Sequence, residues 1–179
     1  SEASEFAEKI SKLLQESIDK LQIKIDLRDN IRPAEKFFHW IQQGVPVRIE
    51  VGPRDLKNES AVVARRDIRE KKLVPLEKIT QHVVELLHKI QDNLFQRALD
   101  YRDLNTRTAN GYGEFKEIIA NEGGFIYAHW DGSKEVEEKI KKETKATIRC
   151  IPFEEEMESG KCIVTGNPSS QKVIFAISY

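Results

Sequence analysis

Every second residue of the stretch 45–51 in GVPVRIEVGPRD is aliphatic, and Arg48 and Glu50 lie between the aliphatic residues. Because successive side chains of a strand point to opposite faces, this pattern predicts a β-strand with one buried and one polar face. A Gly-Pro pair ends the strand, since proline lacks the N–H that the ladder requires. The turn that follows presents Arg54 and Asp55.

The segments around this strand alternate between helical and extended periodicity, which favours an α/β domain with a mixed sheet flanked by helices. Such a domain would more naturally begin with a strand than with a helix. We therefore expect its first strand to be missing before Ser1 and the chain to belong to a longer protein. The predicted elements are helices over 4–21, 30–44 and 75–98 and strands over 22–29, 45–51 and 61–66, with 68–72 as a basic connection.

The character of the chain changes after Asp100, where a polar, turn-rich stretch follows the last of these helices. We expect two domains, over residues 1–102 and 103–179, of which the second is small and α+β. Its predicted elements are helices over 114–123 and 133–145, strands over 124–130 and 146–153, an acidic loop over 154–161, and a closing hairpin of 162–166 with 172–179.

Composition narrows the classes of function. Charged residues make up 33% of the chain but the net charge is −1, so an anionic partner must be bound by a local patch. Two cysteines do not form a disulfide framework and are typical of a cytosolic protein. No apolar run reaches the roughly 18–20 residues that span a bilayer, and the acidic N-terminus is unlike a signal peptide. We expect a cytoplasmic protein that does not associate with membranes.

Arg54 and Asp55 allow two interpretations. They could form a surface ion pair beside a β-turn. They could also recognise a base, because a carboxylate can accept both donors of the guanine Watson–Crick edge and arginine suits the guanine acceptors O6 and N7. Single-stranded RNA loops are recognised through bases exposed in this way. The residues alone leave both interpretations open.

A local excess of basic residues surrounds this turn. The excess is either a solvated edge, which is the usual meaning of a charge run, or a patch that follows phosphates. Residues 48–72 contain eight Lys or Arg (48, 54, 57, 65, 66, 69, 71 and 72) and five Asp or Glu (50, 55, 59, 67 and 70).

Three further motifs favour structural roles. The FFHW stretch at 37–40 offers rings for base stacking, but its helical spacing favours core packing. His129, Cys150 and Cys162 are too few ligands for a structural zinc site, so we expect no metal. The GYGE stretch at 111–114 lacks the strand–loop–helix setting of a phosphate loop and favours a turn. No catalytic arrangement stands out, which favours a binding unit over a self-sufficient enzyme.

The run KIDLRDNIRPAEKFFHWIQQGVPVRIEVGPRDLKNESAVVARRD resembles the anticodon-binding domain of prolyl-tRNA synthetases of the archaeal/eukaryotic-like type. The tail, with its CIPF and GKCIVTGNPSSQKVIFAISY segments and free terminal tyrosine, resembles the C-terminal domain of the same enzymes. The resemblance implies the class II aminoacyl-tRNA synthetase anticodon-binding fold, with a five-stranded mixed sheet, followed by a small α+β zinc-ribbon-like domain. It also implies an upstream catalytic domain, absent from this sequence, that uses ATP and Mg²⁺ to attach proline to its tRNA.

The resemblance further implies binding to the anticodon of proline tRNA, which carries two adjacent guanines because proline codons begin CC. In relatives the arginine of the strand, the basic residue and aspartate of the turn, and a lysine after the next strand contact the anticodon. Ile41 departs from this pattern, because relatives commonly have a glutamate there that faces the anticodon. The corresponding residues in this chain are Arg48, Arg54, Asp55 and Lys71. From the local basic excess we add Arg65 and Arg66 as candidate contacts.

The C-terminal domain also departs from the family pattern. Relatives that bind zinc use four cysteines, and only Cys162 occupies such a position here. We therefore expect that zinc has been lost, that packing replaces it, and that the chain itself holds no cofactor. The residues expected to supply this packing are Phe125, Ile148, Ile151, Phe153, Ile163, Val173 and Phe175.

These observations predict the tRNA-recognising part of a prolyl-tRNA synthetase, without catalytic activity of its own. The alternative is a stand-alone module of the same fold that binds proteins as an interaction or accessory subunit. For the first interpretation we expect proline-specific tRNA as the partner, a homodimeric parent enzyme, and a monomeric or weakly dimeric chain.

Overall fold

The computed structural model describes residues 2–153 and 158–178. The chain divides into two compact units, Ser1–Arg97 (unit 1) and Ala98–Tyr179 (unit 2). This boundary and the predicted boundary after residue 102 both fall within one long helix, Ile79–Leu104. None of the described helices is long and apolar enough to cross a membrane.

Unit 1 is built from helices and a three-stranded antiparallel sheet. Its elements are α1 (Glu2–Ser17), α2 (Pro33–Gln42), β1 (Val47–Glu50), α3 (Pro53–Lys57), β2 (Ser60–Arg65), β3 (Lys71–Pro75) and α4 (Ile79–Leu104). The strand order is β1-β2-β3. Pro33 occupies the first turn of α2, where its missing N–H costs nothing, and Gly44 follows the helix with a φ of 80° that favours glycine.

The core of unit 1 lies between one face of the sheet and the apolar stripes of α1 and α4. The three- and four-residue spacing of α1 and of α4 up to Ile90 correctly predicted those stripes, but the next apolar residues at this spacing in α4, Leu94 and Phe95, are exposed. The alternation in β1 is also confirmed, because Val47 and Ile49 pack against this core. The buried residues of the core are Phe6, Ile10, Leu14, Ala61, Val63, Val74, Ile79, Val83, Leu86 and Ile90.

Several expectations for unit 1 are wrong. Residues 22–29 form no strand, because no described strand pairs with them, and Asp26 instead accepts a hydrogen bond of 2.8 Å from Trp40 Nε1. Residues 71–75 form β3 rather than a connection, and GPRD begins the short helix α3 rather than a turn. The described sheet is therefore antiparallel with three strands, not mixed with five. The expected loss of a first strand is not confirmed.

After the end of α4, the described residues of unit 2 form a mixed four-stranded sheet, a two-stranded ladder and two helices. Its elements are β4 (Thr106–Thr108), α5 (Tyr112–Asn121), β5 (Phe125–His129), α6 (Lys134–Thr144), β6 (Ala146–Cys150), β7 (Gly160–Lys161), β8 (Pro168–Ser169) and β9 (Lys172–Ile177). The sheet order is β4-β5-β9-β6, with β4 parallel to β5 and the other pairs antiparallel. Phe115 and Phe175 are fully buried in the core of unit 2, where their rings meet edge to face with centroids 5.2 Å apart.

The closing hairpin predicted for unit 2 is wrong. β9 inserts between β5 and β6, whereas residues 163–165 form the turn that connects β7 to β8. Of the expected packing residues, Ile163, Val173 and Phe175 are buried and Ile148 packs against them, but Phe125, Ile151 and Phe153 are exposed. The zinc-ribbon-like architecture is not confirmed. Four residues of the predicted acidic loop, 154–157, lie outside the described residues.

Polar contacts join two loops of unit 2. Asp131, after β5, accepts hydrogen bonds from the backbone N and Oγ of Ser133, at 3.1 and 2.6 Å. Its second oxygen accepts from Thr165 Oγ1 at 2.7 Å and from Asn167 Nδ2 at 3.3 Å. These donors, first Ser133 and then Thr165, hold the pKa of Asp131 well below its ordinary value. A carboxylate therefore ties the loop after β5 to the loop before β8.

Candidate nucleic-acid interface

Strand register places two of the predicted contact residues on one face of the sheet. Arg48 lies opposite Ala64, and Ala64 lies opposite Lys71 on the next strand. Residues paired across strands point to the same face, so Arg48 and Lys71 flank the small Ala64 on the face opposite the core. They are 23 residues apart in sequence, and the pairing of three strands brings them together.

The ring of Phe37, from α2, lies against both cations. The guanidinium carbon of Arg48 is 4.1 Å from the ring centroid, and Lys71 Nζ is 5.1 Å from it. Both distances are typical of cation–π contacts. The sequence favoured core packing for this segment, yet Phe37 and Trp40 are only half-buried and Ile41 is exposed. Phe37 therefore belongs to the polar site.

Glu50 joins the two cations and was not among the predicted site residues. Its Oε1 accepts hydrogen bonds from Arg48 Nε at 3.0 Å and Nη2 at 2.8 Å, and lies 2.9 Å from Lys71 Nζ. Burial raises the pKa of the Glu50 carboxyl, but the hydrogen bonds from Lys71 and Arg48 outweigh burial and leave the pKa below its ordinary value. The period-two pattern of β1 could have identified Glu50, since it shares a face with Arg48; Phe37 could not be found that way.

We call the group Phe37, Arg48, Glu50 and Lys71 the cation cluster. Its chemistry is that of a surface with several N–H donors, one aromatic face and a net charge of one positive unit. Guanidinium and ammonium groups suit phosphate oxygens and the guanine acceptors O6 and N7, and an aromatic face suits base stacking.

A small cleft adjoins Arg48. Ile41 and Arg66 line it together with Trp40, Val45, Pro46 and Ala64, and its volume is about 10 Å³. That volume holds roughly one water molecule, so a base would have to lie on this surface rather than inside it. Ile41 supplies no acceptor at the place where the family commonly has a glutamate.

Asp55 and Arg54 lie on α3, which begins directly after β1. Asp55 is the third residue of the helix, and its Oδ2 accepts a hydrogen bond of 2.9 Å from the backbone N of Gly52. This hydrogen bond is half of a capping box, so Asp55 stabilises the first turn of α3. Arg54 is exposed on the same helix.

Arg65, by contrast, is held in the structure. Its guanidinium donates to both oxygens of Asp67 at 2.8 and 2.6 Å, and Asn93 from α4 donates to Asp67 at 2.7 Å. The side chains of Arg65 and Asp67 are only 13% and 1% exposed. Arg65 also faces away from Arg48, because it lies opposite Val47 on the core side of the sheet. The geometry gives Arg65 a role in stability.

Unit 2 has a larger surface cleft, of about 510 Å³, but its charge is unsuited to nucleic acid. Arg107 forms an ion pair with Glu122 at its edge, and Glu114 and Glu117 also line it. Three carboxylates against one guanidinium repel phosphate. Among the described residues no group of three or more His, Cys, Asp or Glu could hold a metal ion.

Both units match models of known protein families. Residues 1–86 match the anticodon binding domain, and residues 112–179 match the domain described as prolyl-tRNA synthetase, C-terminal.

Relatives with the name proline–tRNA ligase match most of the chain. That of Porphyromonas gingivalis is 49% identical over 177 residues, which cover 98% of this chain and 36% of the relative. Those of Flavobacterium johnsoniae and Bacteroides fragilis are 51% and 53% identical over 89% of this chain, and over 32% and 33% of their own lengths. The chain spans about a third of the length of these curated relatives.

These relatives are bacterial, so the expectation of the archaeal/eukaryotic-like type is not borne out. The two domain matches occur in the predicted order and cover both structural units. The alternative of a stand-alone interaction module is not favoured, because the relatives are named as ligases. The chain belongs to the prolyl-tRNA synthetase family, as the part that carries the anticodon-binding domain and the C-terminal domain.

Proposed function

We propose that unit 1 recognises the two adjacent guanines in the anticodon of proline tRNA. The observation that carries this proposal is the convergence of Arg48 and Lys71 beside the Phe37 ring on one face of the sheet. Guanine presents O6 and N7 as acceptors, which suit the donors of Arg48 and Lys71. Phe37 offers a ring on which an unstacked anticodon base can lie.

The other predicted residues contribute in different ways. Arg54 and Arg66 are exposed and supply positive charge for the phosphates on either side of the anticodon. Asp55 accepts guanine donors with the oxygen that the Gly52 backbone does not use. We assign Arg65 no direct contact with the anticodon, because its guanidinium is paired with Asp67.

The parent protein then uses this recognition to select the tRNA to which a class II catalytic domain attaches proline with ATP and Mg²⁺. We expect it to be a cytoplasmic homodimer, and the 179-residue chain to be a monomer or a weak dimer that needs no zinc. Sedimentation of the purified chain measures its oligomeric state.

Binding of short RNA hairpins to the chain tests the proposal. One hairpin has guanines at the second and third anticodon positions, and in the other adenines replace them. We expect the adenine hairpin to bind roughly tenfold or more weakly, because at least one bidentate contact is lost. Arg48→Ala should remove most of this difference. Equal affinity of the chain for both hairpins would rule out guanine recognition by unit 1.

The salt dependence of the same binding separates base contacts from phosphate contacts. The local basic excess of residues 48–72 offers only a few phosphate contacts, each adding about 0.7–0.9 to the slope of log affinity against log salt. Arg54→Ala should reduce this slope by about one contact and weaken both hairpins alike. Arg48→Ala should instead weaken the guanine hairpin selectively.

A further inference from the structure

Glu50 is the only member of the cation cluster with a negative charge, and both cations of the cluster converge on it. Arg48 donates two hydrogen bonds to its Oε1, while Lys71 lies 2.9 Å from Oε1 and 3.1 Å from Oε2. The Glu50 side chain is 23% exposed, whereas that of Lys71 is 49% exposed. The Arg48 side chain, at 20%, is about as exposed as the carboxylate, so Lys71 is the charged member of the cluster that is most open to a ligand.

The two cations would behave differently without this carboxylate. Arg48 and Lys71 are two strands apart, which is about 10 Å between their backbones, and both side chains are long enough to separate or approach. Like charges repel, and each free side chain has rotamer entropy that binding would have to remove. A shared acceptor fixes both side chains before the ligand arrives.

The carboxylate also sets the charge that a phosphate meets. Arg48 and Lys71 together with Glu50 carry one net positive unit, and without Glu50 they would carry two. Flexible, uncompensated cations bind any RNA backbone, whereas fixed donors favour a base edge of matching geometry. Glu50 thus lowers the attraction of the cluster for any phosphate and raises its selectivity for a base edge.

We propose that Glu50 is a positioning residue for anticodon recognition, which holds Arg48 and Lys71 beside Phe37 and limits their binding to phosphate of any sequence. This inference rests on the proposed function of unit 1. It predicts that removing the charge of Glu50 lowers the selectivity for guanine over adenine and raises the affinity for RNA of any sequence. A role in folding stability alone would not produce that pattern.

The test compares Glu50→Gln with Glu70→Gln in the full chain. Glu70 is exposed on the connection before β3, and its substitution makes the same change in net charge without removing a partner of Arg48 or Lys71. The affinities of the guanine and adenine hairpins are measured over a range of salt concentrations, and thermal unfolding is recorded for each variant.

We expect both variants to bind the adenine hairpin more tightly at low salt, with a slope steeper by about 0.7. Only Glu50→Gln should lower the ratio of the two affinities, by about tenfold. A double-mutant cycle with Arg48→Ala should show that the effects of Glu50→Gln and Arg48→Ala on this ratio are not additive.

The outcomes distinguish the inference from the function on which it rests. If the unaltered chain does not discriminate between the hairpins, the proposed function is wrong. If it discriminates and Glu50→Gln keeps the full ratio, or if the cycle is additive, the positioning role of Glu50 is wrong. If Glu70→Gln also loses the preference for the guanine hairpin, the loss in Glu50→Gln comes from the change in net charge. That result would also overturn the positioning role of Glu50.

Discussion

Asp55 has two carboxylate oxygens, and the fold uses only Oδ2 to cap the backbone N of Gly52. Asp55→Ala should therefore lower the free energy of unfolding by about 0.5–2 kcal/mol and also reduce selectivity for guanine. Inosine lacks the exocyclic amine of guanine, so the preference of the chain for a guanine hairpin over an inosine hairpin isolates this contact. We expect Asp55→Ala to lose that preference.

A matched control for Asp55 lies at the start of α5 in unit 2. Glu114 accepts a hydrogen bond of 2.8 Å from the backbone N of Asn110, as Asp55 does from Gly52. Glu114→Ala should cost a similar amount of stability and leave the preference for guanine unchanged. If Asp55→Ala behaves in the same way, Asp55 is a helix-capping residue and takes no part in recognition.

Asp67 is a residue whose ionisation should contribute to the acid stability of unit 1, as should Asp26, whose pKa is also held below its ordinary value by its hydrogen bond from Arg28. The hydrogen bond from Arg65 lowers the pKa of Asp67 from 3.8 to about 2, an effect that burial opposes and Asn93 supports. Because the folded pKa is the lower one, the stabilisation is complete above about pH 4 and is lost as the pH falls through about 2.

Urea unfolding between about pH 2 and pH 6, followed by Trp40 fluorescence in a Trp130→Phe background, measures this loss. At about pH 6, Asp67→Asn should have a lower free energy of unfolding than the unaltered chain. As the pH falls to about 2, its free energy of unfolding should decline by less. Asp29→Asn makes the same chemical change at an exposed site and should keep the full decline. An undiminished decline in Asp67→Asn would show that other carboxylates control acid stability.

At the scale of elements, α6 ends on an unusual residue. Lys145 is in the left-handed conformation, with φ of 64°, and its backbone N bonds to the carbonyl of Lys141. Residues with a Cβ are strained there, whereas glycine is not. Lys145→Gly should raise the free energy of unfolding by about 0.5–1 kcal/mol in chemical denaturation.

The control substitution for α6 lies three residues earlier. Lys142 is within the helix, so Lys142→Gly should instead destabilise by about 0.5–1 kcal/mol. The same chemical change is thus expected to have opposite signs on the two sides of the helix end. If both substitutions change the free energy of unfolding in the same direction, the lysine charge and not the backbone conformation determines stability at the end of α6.

At the scale of the whole molecule, the two loops of unit 2 are tied by Asp131 rather than by cysteines. Cys162 is buried and Cys150 is exposed. We expect less than one zinc per chain by elemental analysis, and no effect of a chelator on thermal unfolding. Asp131→Ala should destabilise by about 2 kcal/mol, because four hydrogen bonds to a charged group are lost. Stoichiometric zinc, or unfolding on addition of chelator, would contradict this account.

Local patterns determined much of this protein. Helix periodicity depends on residues three and four apart, so α6 was predicted within one residue of its observed ends and α2 within three, whereas α1 ends at Ser17, four residues before the predicted end. The alternation in β1 assigned Arg48 and Glu50 to the polar face, and the long motif around GVPVRIEVGPRD identified the family. These features are encoded within short stretches of chain, and no distant partner is needed to interpret them.

Only the tertiary structure decided how distant stretches pair. Residues 22–29 have the alternation of a strand, but none of the described strands pairs with them. β9 pairs with β5 and β6 rather than with its neighbour in sequence. The same pairing decided which basic residues are available. Arg65 is held by Asp67 on the core side, whereas Arg48 meets Lys71, Glu50 and Phe37 on the other. Strand pairing and side-chain contacts between elements are non-local, so one strand's periodicity fixes its faces but not its neighbours.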